Sequence, residues 1–172
     1  TKRLWQGLGE YQPQNAWDKE QVYDMLIVGG GITGLTTALV LQEKGKKCIL
    51  AEAHNLAFGT SGGTTAHLNT LLDTPYYRVK KNFDENAAKQ LAVGAREAID
   101  LIEGFVNKYH IECDLAYKPG YLFAETEEEA EELKKIKDGN DLVSVLNEWC
   151  DNIPVPIPFT KAIKIDFQAQ LH

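Results

Sequence analysis

The sequence predicts an α/β protein, with a strand–helix–strand unit over residues 22–75 and a helical, α+β part over residues 76–172. Three observations predict it. Two short apolar runs, "YDMLIVG" and "KKCILAE", flank a segment whose apolar residues recur at helical spacing. Glycines punctuate both ends of that segment. Further on, longer helical patterns alternate with extended stretches marked by Pro-Gly and by three prolines.

Residues Thr1 to Gln21 mix Gly, Pro, Asn and isolated Trp without a period. They predict an irregular arm that Trp5 and Trp17 pin to the body. "YDMLIVG" is a short apolar run closed by glycines, as expected of a parallel strand buried on both faces. Ile32, Leu35, Leu39 and Val40 then mark a helix, which Gly45 stops. "KKCILAE" is a second strand ending in an acid. Strand, helix and strand in so short a span form a βαβ unit, whose crossover favours parallel strands. A Thr-rich stretch of small residues, "GTSGGTTAHLNT", follows from Gly59.

In the second part, Asp84 is a good N-cap for a helix running to Tyr109, with Leu91, Ala95, Ala98, Ile99, Ile102 and Val106 as its apolar stripe. "CDLAYKPGYLFAE" predicts two strands around a type II turn centred on Pro119 and Gly120. By alternation, Tyr117, Tyr121 and Phe123 are expected to be core aromatics. Thr126 and Glu129 form a capping box for the helix "EEEAEELKKIK", whose acidic first turn suits the helix dipole. Three prolines in "NIPVPIPF" enforce an extended path into a strand, "KAIKIDF".

Composition narrows the function. A net charge of -7 argues against a nucleic-acid surface, and "EKGKK" and "RVKK" are too short to be more than solvated helix ends or loops. Cys48, Cys113 and Cys150 are widely separated, and His54, His67, His110 and His172 lack ligand spacing, so no metal site is expected. The polar N-terminus is not a signal peptide, and no apolar run approaches the ~18 residues of a membrane span. A soluble protein of a reducing, cytoplasmic compartment is expected.

Gly29, Gly31 and Gly34 match Gly-x-Gly-x-x-Gly at the exit of the first strand. In a Rossmann-like unit the first glycine permits the tight turn and the second lets main chain approach a pyrophosphate. The third lets helix and strand pack closely. The helix starting near Ile32 and Thr33 aims its free N–H groups at the same place. Glu52, beside Ala53 at the end of the second strand, stands where an acid binds a ribose hydroxyl and repels a 2′-phosphate. That favours FAD or NAD over NADP, and spacing does not choose between the two.

"VGGGITGLTTALVLQEKGKKCILAEA", "GTSGGTTAHLNTLLD", "IECDLAYKPGYLFAE" and "QAQLH" together resemble the FAD-dependent oxidoreductases of the D-amino-acid oxidase and glycine oxidase superfamily. Within it, the resemblance is to the branch that often carries a C-terminal Rieske domain. It implies an FAD-binding βαβ unit with an inserted α+β substrate-domain portion, here as the N-terminal part of a longer flavoenzyme and inactive alone. It further implies that Gly29, Gly31 and Gly34 contact the FAD diphosphate, with Ile32, Thr33 and Ala53 beside it and Glu52 on the adenosine ribose. Thr60 and Ser61 lie near the diphosphate, and Thr64, Thr65, Ala66 and His67 run toward the flavin. Ser61 replaces a usual Thr, Asn69 stands at another Thr position, and His54 stands where Arg is common. His67 itself is expected to be an ordinary helix-surface histidine.

The resemblance implies hydride transfer to flavin from the carbon beside an amine nitrogen, giving an imine that hydrolyses; the substrate is a small amine or amino acid. No nucleophile–base constellation appears, so no catalytic residue is nominated. No Cys-x-His and Cys-x-x-His pair occurs, so the chain holds no Rieske domain. Two alternatives stand beside this expectation: an NAD-dependent Rossmann enzyme, and a non-catalytic module whose open sheet edge recruits a partner.

Overall fold

The structure, a computed structural model, describes residue 18 and residues 20–172. The expected arm, with Trp5 and Trp17, lies almost wholly outside the described residues. The chain divides into two compact units between Thr65 and Ala66.

The first unit is a βαβ turn of chain: β1 (Met25–Val28), α1 (Ile32–Glu43) and β2 (Cys48–Ala51), then a short 3-10 turn (Ser61–Gly63). β1 and β2 are parallel, in register from Met25↔Cys48 to Val28↔Ala51. Asp24 fixes that register from below. Its N–H donates to the Lys47 carbonyl, and its carboxylate accepts the Lys47 N–H, each at 2.9 Å. Gly45, at φ +75, ends the helix as expected and donates to the Gln42 carbonyl. β1 is not buried on both faces, however. Leu26 and Val28 are 66% and 80% exposed, because among the described residues no second apolar layer covers this two-stranded sheet. In α1 the stripe is half-buried at Leu39 and Val40 but exposed at Ile32 and Leu35.

The second unit contains β3 (His67–Leu68), α2 (Tyr76–Asn82), α3 (Glu85–Tyr109), β4 (Ala116–Ala124), α4 (Glu127–Leu142), β5 (Asn147–Cys150) and β6 (Lys161–Gln170). β6 is the hub of an antiparallel sheet, pairing β4 along its length, β5 over Ala162–Ile165 and β3 over Ala169–Gln170. Two apolar clusters hold it. Tyr76 and Val79 of α2 meet Ala88 and Ala92 of α3 and Val143; Ala124, Ala130, Leu133, Ile163 and Ile165 close α4 onto the sheet. At Gly139 a Cβ would lie 2.8 Å from the Tyr77 amide nitrogen, so α4 approaches α2 only where a side chain is missing.

Both helix caps form as expected. Asp84 accepts the Ala87 N–H at 2.7 Å, and Thr126 and Glu129 bond reciprocally as a capping box. The α3 stripe is turned slightly from the expected one. Ala88, Ala92 and Ile99 are buried, whereas Leu91 and Ala98 are exposed. The expected Pro119–Gly120 hairpin is instead one strand, β4, whose register with β6 shifts between Lys118 and Gly120. A type II turn needs positive φ at its glycine, and among the described glycines only Gly29 and Gly45 have it. Pro119, lacking an N–H, sits in the break where the ladder loses nothing. Tyr117 and Phe123 are 40% and 38% exposed, not core, and Tyr121 is half-buried; the inward positions are Leu122 and Ala124. No helix among the described residues is long and apolar enough to cross a membrane.

Candidate dinucleotide site

The glycine turn is held by backbone sterics that each glycine meets differently. Gly29 leaves β1 at φ +105, a conformation side chains rarely adopt, and donates to the Ala51 carbonyl at 2.8 Å. A Cβ on Gly34 would fall 1.9 Å from the Gly29 carbonyl oxygen, so α1 starts hard against the end of β1. Gly30, which the spacing pattern leaves as a free position, is also confined. A Cβ there would meet Leu56 Cδ2 at 2.6 Å and Glu52 Oε2 at 3.2 Å. The third consecutive glycine was the available sign of this. Gly31 faces only Ser61 Oγ, at 3.2 Å from a built Cβ.

Helix geometry leaves the first N–H groups of α1 without intrahelical acceptors. Gly31, as N-cap, has no side chain to offer. Ser61 supplies the cap from a distance, its Oγ accepting the Ile32 N–H at 2.9 Å. The two motifs read separately in the sequence are thus one physical assembly. Thr33 lies in the exposed first turn, its carbonyl accepting the Thr37 hydroxyl.

Glu52 closes the other side. Its Oε2 accepts the Gly30 N–H at 2.6 Å and its Oε1 the His54 N–H at 2.8 Å. These bonds, Gly30's first, hold the Glu52 carboxyl below its ordinary pKa, so it is an anion at neutral pH. Ala53 is exposed beside it, and the His54 ring stacks on Phe58 with centroids 4.7 Å apart. Thr60 heads the 3-10 turn, its carbonyl accepting the Gly63 N–H; Thr64 closes the turn, and Thr65 follows, exposed.

Gly29, Gly31, Ile32, Thr33, Gly34, Glu52 and Ser61 are therefore drawn together around one turn. Ala66 and His67 belong to the second unit. Ala66 is buried at φ 55, its carbonyl accepting the Leu171 N–H. His67 is not on a helix: it is an exposed residue of β3, opposite Gln170.

A strand exit stripped of Cβ atoms, a helix N-terminus behind it and an anionic carboxylate at the next strand's end fit a dinucleotide. The fit extends to both halves of such a group, diphosphate and ribose. The fold and this turn define a dinucleotide-binding α/β protein. The family described as FAD dependent oxidoreductase (DAO) matches residues 24–156, and the chain belongs to it. The family's cofactor is FAD, and NAD is not favoured.

Among its relatives, a protein of Bacillus subtilis strain 168 described as a Rieske 2Fe-2S iron-sulfur protein, YhfW, is 30% identical over 149 residues. The match takes in 87% of this chain and 29% of that one. Gamma-glutamylputrescine oxidoreductase of Escherichia coli K12 is 32% identical over 114 residues, 66% of this chain and 26% of its own length. Glycine oxidase from Geobacillus kaustophilus shares the fold with a TM-score of 0.67 at 20% identity, over 87% of this chain and 40% of that one. The chain thus spans between a quarter and two fifths of these proteins' lengths.

Proposed function

We propose that this chain is the FAD-anchoring part of an oxidoreductase that oxidises a C–N bond of a small amine or amino acid. Family membership supports the cofactor. The names of the Escherichia coli relative and of the glycine oxidase support the substrate class. The observation that carries the reading is the paired bonding of the turn, Glu52 to the Gly30 N–H and Ser61 to the Ile32 N–H.

In this reading residues 22–75 anchor FAD and residues 76–172 begin the part that meets substrate. Gly29, Gly31 and Gly34 keep the diphosphate face free of side chains, while Ile32 and Thr33 present the positive end of α1. Glu52, kept anionic, accepts ribose hydroxyls through lone pairs that Gly30 and His54 leave free, with Ala53 alongside. Thr60 and Ser61 offer hydroxyls to phosphate oxygens, and Thr64, Thr65, Ala66 and His67 lead toward the flavin. Bound flavin supplies the hydride acceptor; the chain supplies binding and orientation. Three free cysteines suit a reducing, cytoplasmic compartment.

Flavin fluorescence titration tests the anchoring. Glu52→Ala removes a charged hydrogen-bond partner, worth about 1.5–3 kcal/mol, so FAD should bind at least about tenfold more weakly. Gly31→Val should do the same by filling the open face. Equal FAD affinity in both variants and the parent chain overturns the site. Flavin bleaching by amines or amino acids in the flavin-loaded full-length parent protein tests the reaction class.

A further inference from the structure

The motif "QAQLH" has no part in the glycine turn, yet its first residue, Gln168, is buried in the second unit. The β4 partners of Ile163, Ile165 and Gln168 are Leu122, Gly120 and Lys118, so the three β6 side chains share one face of the sheet. Strict alternation from Ile165 would instead have put Phe167 on that face and Gln168 on the other. One extra β6 residue between the partners of Gly120 and Lys118, a β-bulge, makes the exchange. Phe167 takes it up at φ 58, a strained conformation for an aromatic residue, and its ring is 52% exposed beneath Arg96. Gly120 contributes from across the sheet, since a Cβ there would lie 3.2 Å from Gln168 Cγ. Burial preference alone predicts the opposite arrangement, the aromatic inside and the amide outside. Bulge, strain and missing Cβ all serve the placement of one amide.

That amide meets Thr70. Its Oε1 accepts the Thr70 N–H at 2.7 Å, and its Nε2 donates to Thr70 Oγ1 at 3.0 Å and to the Asp166 carbonyl at 2.7 Å. The Tyr76 hydroxyl donates to the Thr70 carbonyl. Thr70 and Tyr76 are buried too, so the main chain and hydroxyl of Thr70 are both held inside the fold. Thr70 lies just past β3, whose ladder with β6 is only two pairs long, His67↔Gln170 and Leu68↔Ala169. The Gln168 side chain takes the Thr70 N–H beyond the second pair. A fully satisfied buried network rigidifies what it joins.

We propose that Gln168 is a positioning residue for the flavin: through Thr70 it fixes the His67–Thr70 segment, and so the reach of Thr64, Thr65, Ala66 and His67 toward the ring. This role rests on the FAD reading above. Two tasks then separate along the chain. Glu52 and the glycines anchor ribose and diphosphate, while Gln168, Thr70 and Tyr76 set the ring end.

Thr70→Val in the flavin-loaded full-length parent protein removes one hydroxyl and keeps the main-chain bonds of Thr70. FAD affinity, read by fluorescence titration, should stay within about twofold of the parent, because no bond of the anchoring turn changes. The bound flavin should nonetheless report a looser ring, through lower fluorescence anisotropy and a less structured visible absorption band. Thr70→Ser, which keeps the hydroxyl, should restore both signals. A merely structural network would lower the thermal midpoint and leave the flavin signals parent-like, and that result overturns the proposal. FAD affinity falling in step with ring mobility would overturn it equally, since anchor and ring end would not be separate. Should Thr70→Val not fold, Tyr76→Phe loosens the same residue from its carbonyl side and is read in the same way. A parent protein that binds no FAD brings down the FAD reading itself, and this role with it.

Discussion

Replacing Gly34 by alanine tests the tightest approach at any described glycine. The new methyl carbon would lie 1.9 Å from the Gly29 carbonyl oxygen, where real Cβ atoms essentially never come within 3.0 Å. α1 must therefore retreat by at least about an ångström, an overpacking strain of the sort that costs about 1–3 kcal/mol and occasionally more. No flexible end can yield. The oxygen belongs to main chain, and the same residue is tied through its N–H to Ala51 at φ +105. Alanine regains up to about 1 kcal/mol of helix propensity, leaving a net loss of about 2 kcal/mol at the upper end of that strain. Hydrogen exchange of the α1 amides reads this directly, as a roughly thirtyfold faster exchange in the variant. Gly31→Ala is the control. Its methyl meets only the rotatable Ser61 Oγ at 3.2 Å, so α1 protection should hold while FAD affinity falls. Parent-like exchange in Gly34→Ala would refute the close crossing of helix and strand.

Glu52 has a depressed pKa, so its contribution is complete above the ordinary carboxylate value of 4.5 and is lost as pH falls through the lower folded value. FAD affinity and the protection of the Gly30 amide should therefore fall together in acid. Glu52→Gln, which sets an NH₂ group against a backbone N–H, should flatten that dependence and bind weakly throughout. Glu85 is pushed down to about 2 by Lys89 and Lys80. An NMR titration should find it well below 4.5, and salt near 1 M, with a screening length of about 3 Å, should move it back up because all three groups are exposed. Asp84→Ala should cost about 1 kcal/mol in urea unfolding, through loss of the bond from Ala87.

What was legible in the sequence was local. The glycine spacing, the caps at Asp84 and Thr126 and the stop at Gly45 each depend on residues within a few positions, and each appears where the pattern puts it. What needed the rest of the chain was not. α2 is only seven residues long, with Tyr76 and Val79 as its buried face, and it exists against Ala88 and Ala92. "NEWC" has no clean alternation and becomes β5 by pairing with β6. Pro119 and Gly120 carried a turn signal that long-range pairing overrode. β1 reads as a doubly buried strand because its composition suits one, yet burial belongs to neighbours. With Val22, Leu26 and Val28 each more than 60% exposed, the described residues supply no cover. Burying a Val or Leu side chain is worth about 1.5–3 kcal/mol, a sizeable share of a domain's stability of about 5–15 kcal/mol.

The hydroxyl of Ser61 ties that local legibility to the proposed chemistry. As acceptor it already satisfies the Ile32 N–H, so a diphosphate arriving at the turn meets a helix terminus whose first amide is taken. Its own proton remains available as a donor. One side chain can thus cap α1 and hydrogen-bond an anionic oxygen at the same time, which a bare helix end cannot do. Ser61→Ala should remove both bonds. The first turn of α1 should lose about 1 kcal/mol of protection, and FAD should bind about fivefold more weakly, the worth of one further hydrogen bond. Ser61→Thr keeps the hydroxyl and should restore both properties. Loss of helix protection with unchanged FAD affinity would make Ser61 a cap and nothing more, and would move the diphosphate away from this side of the turn.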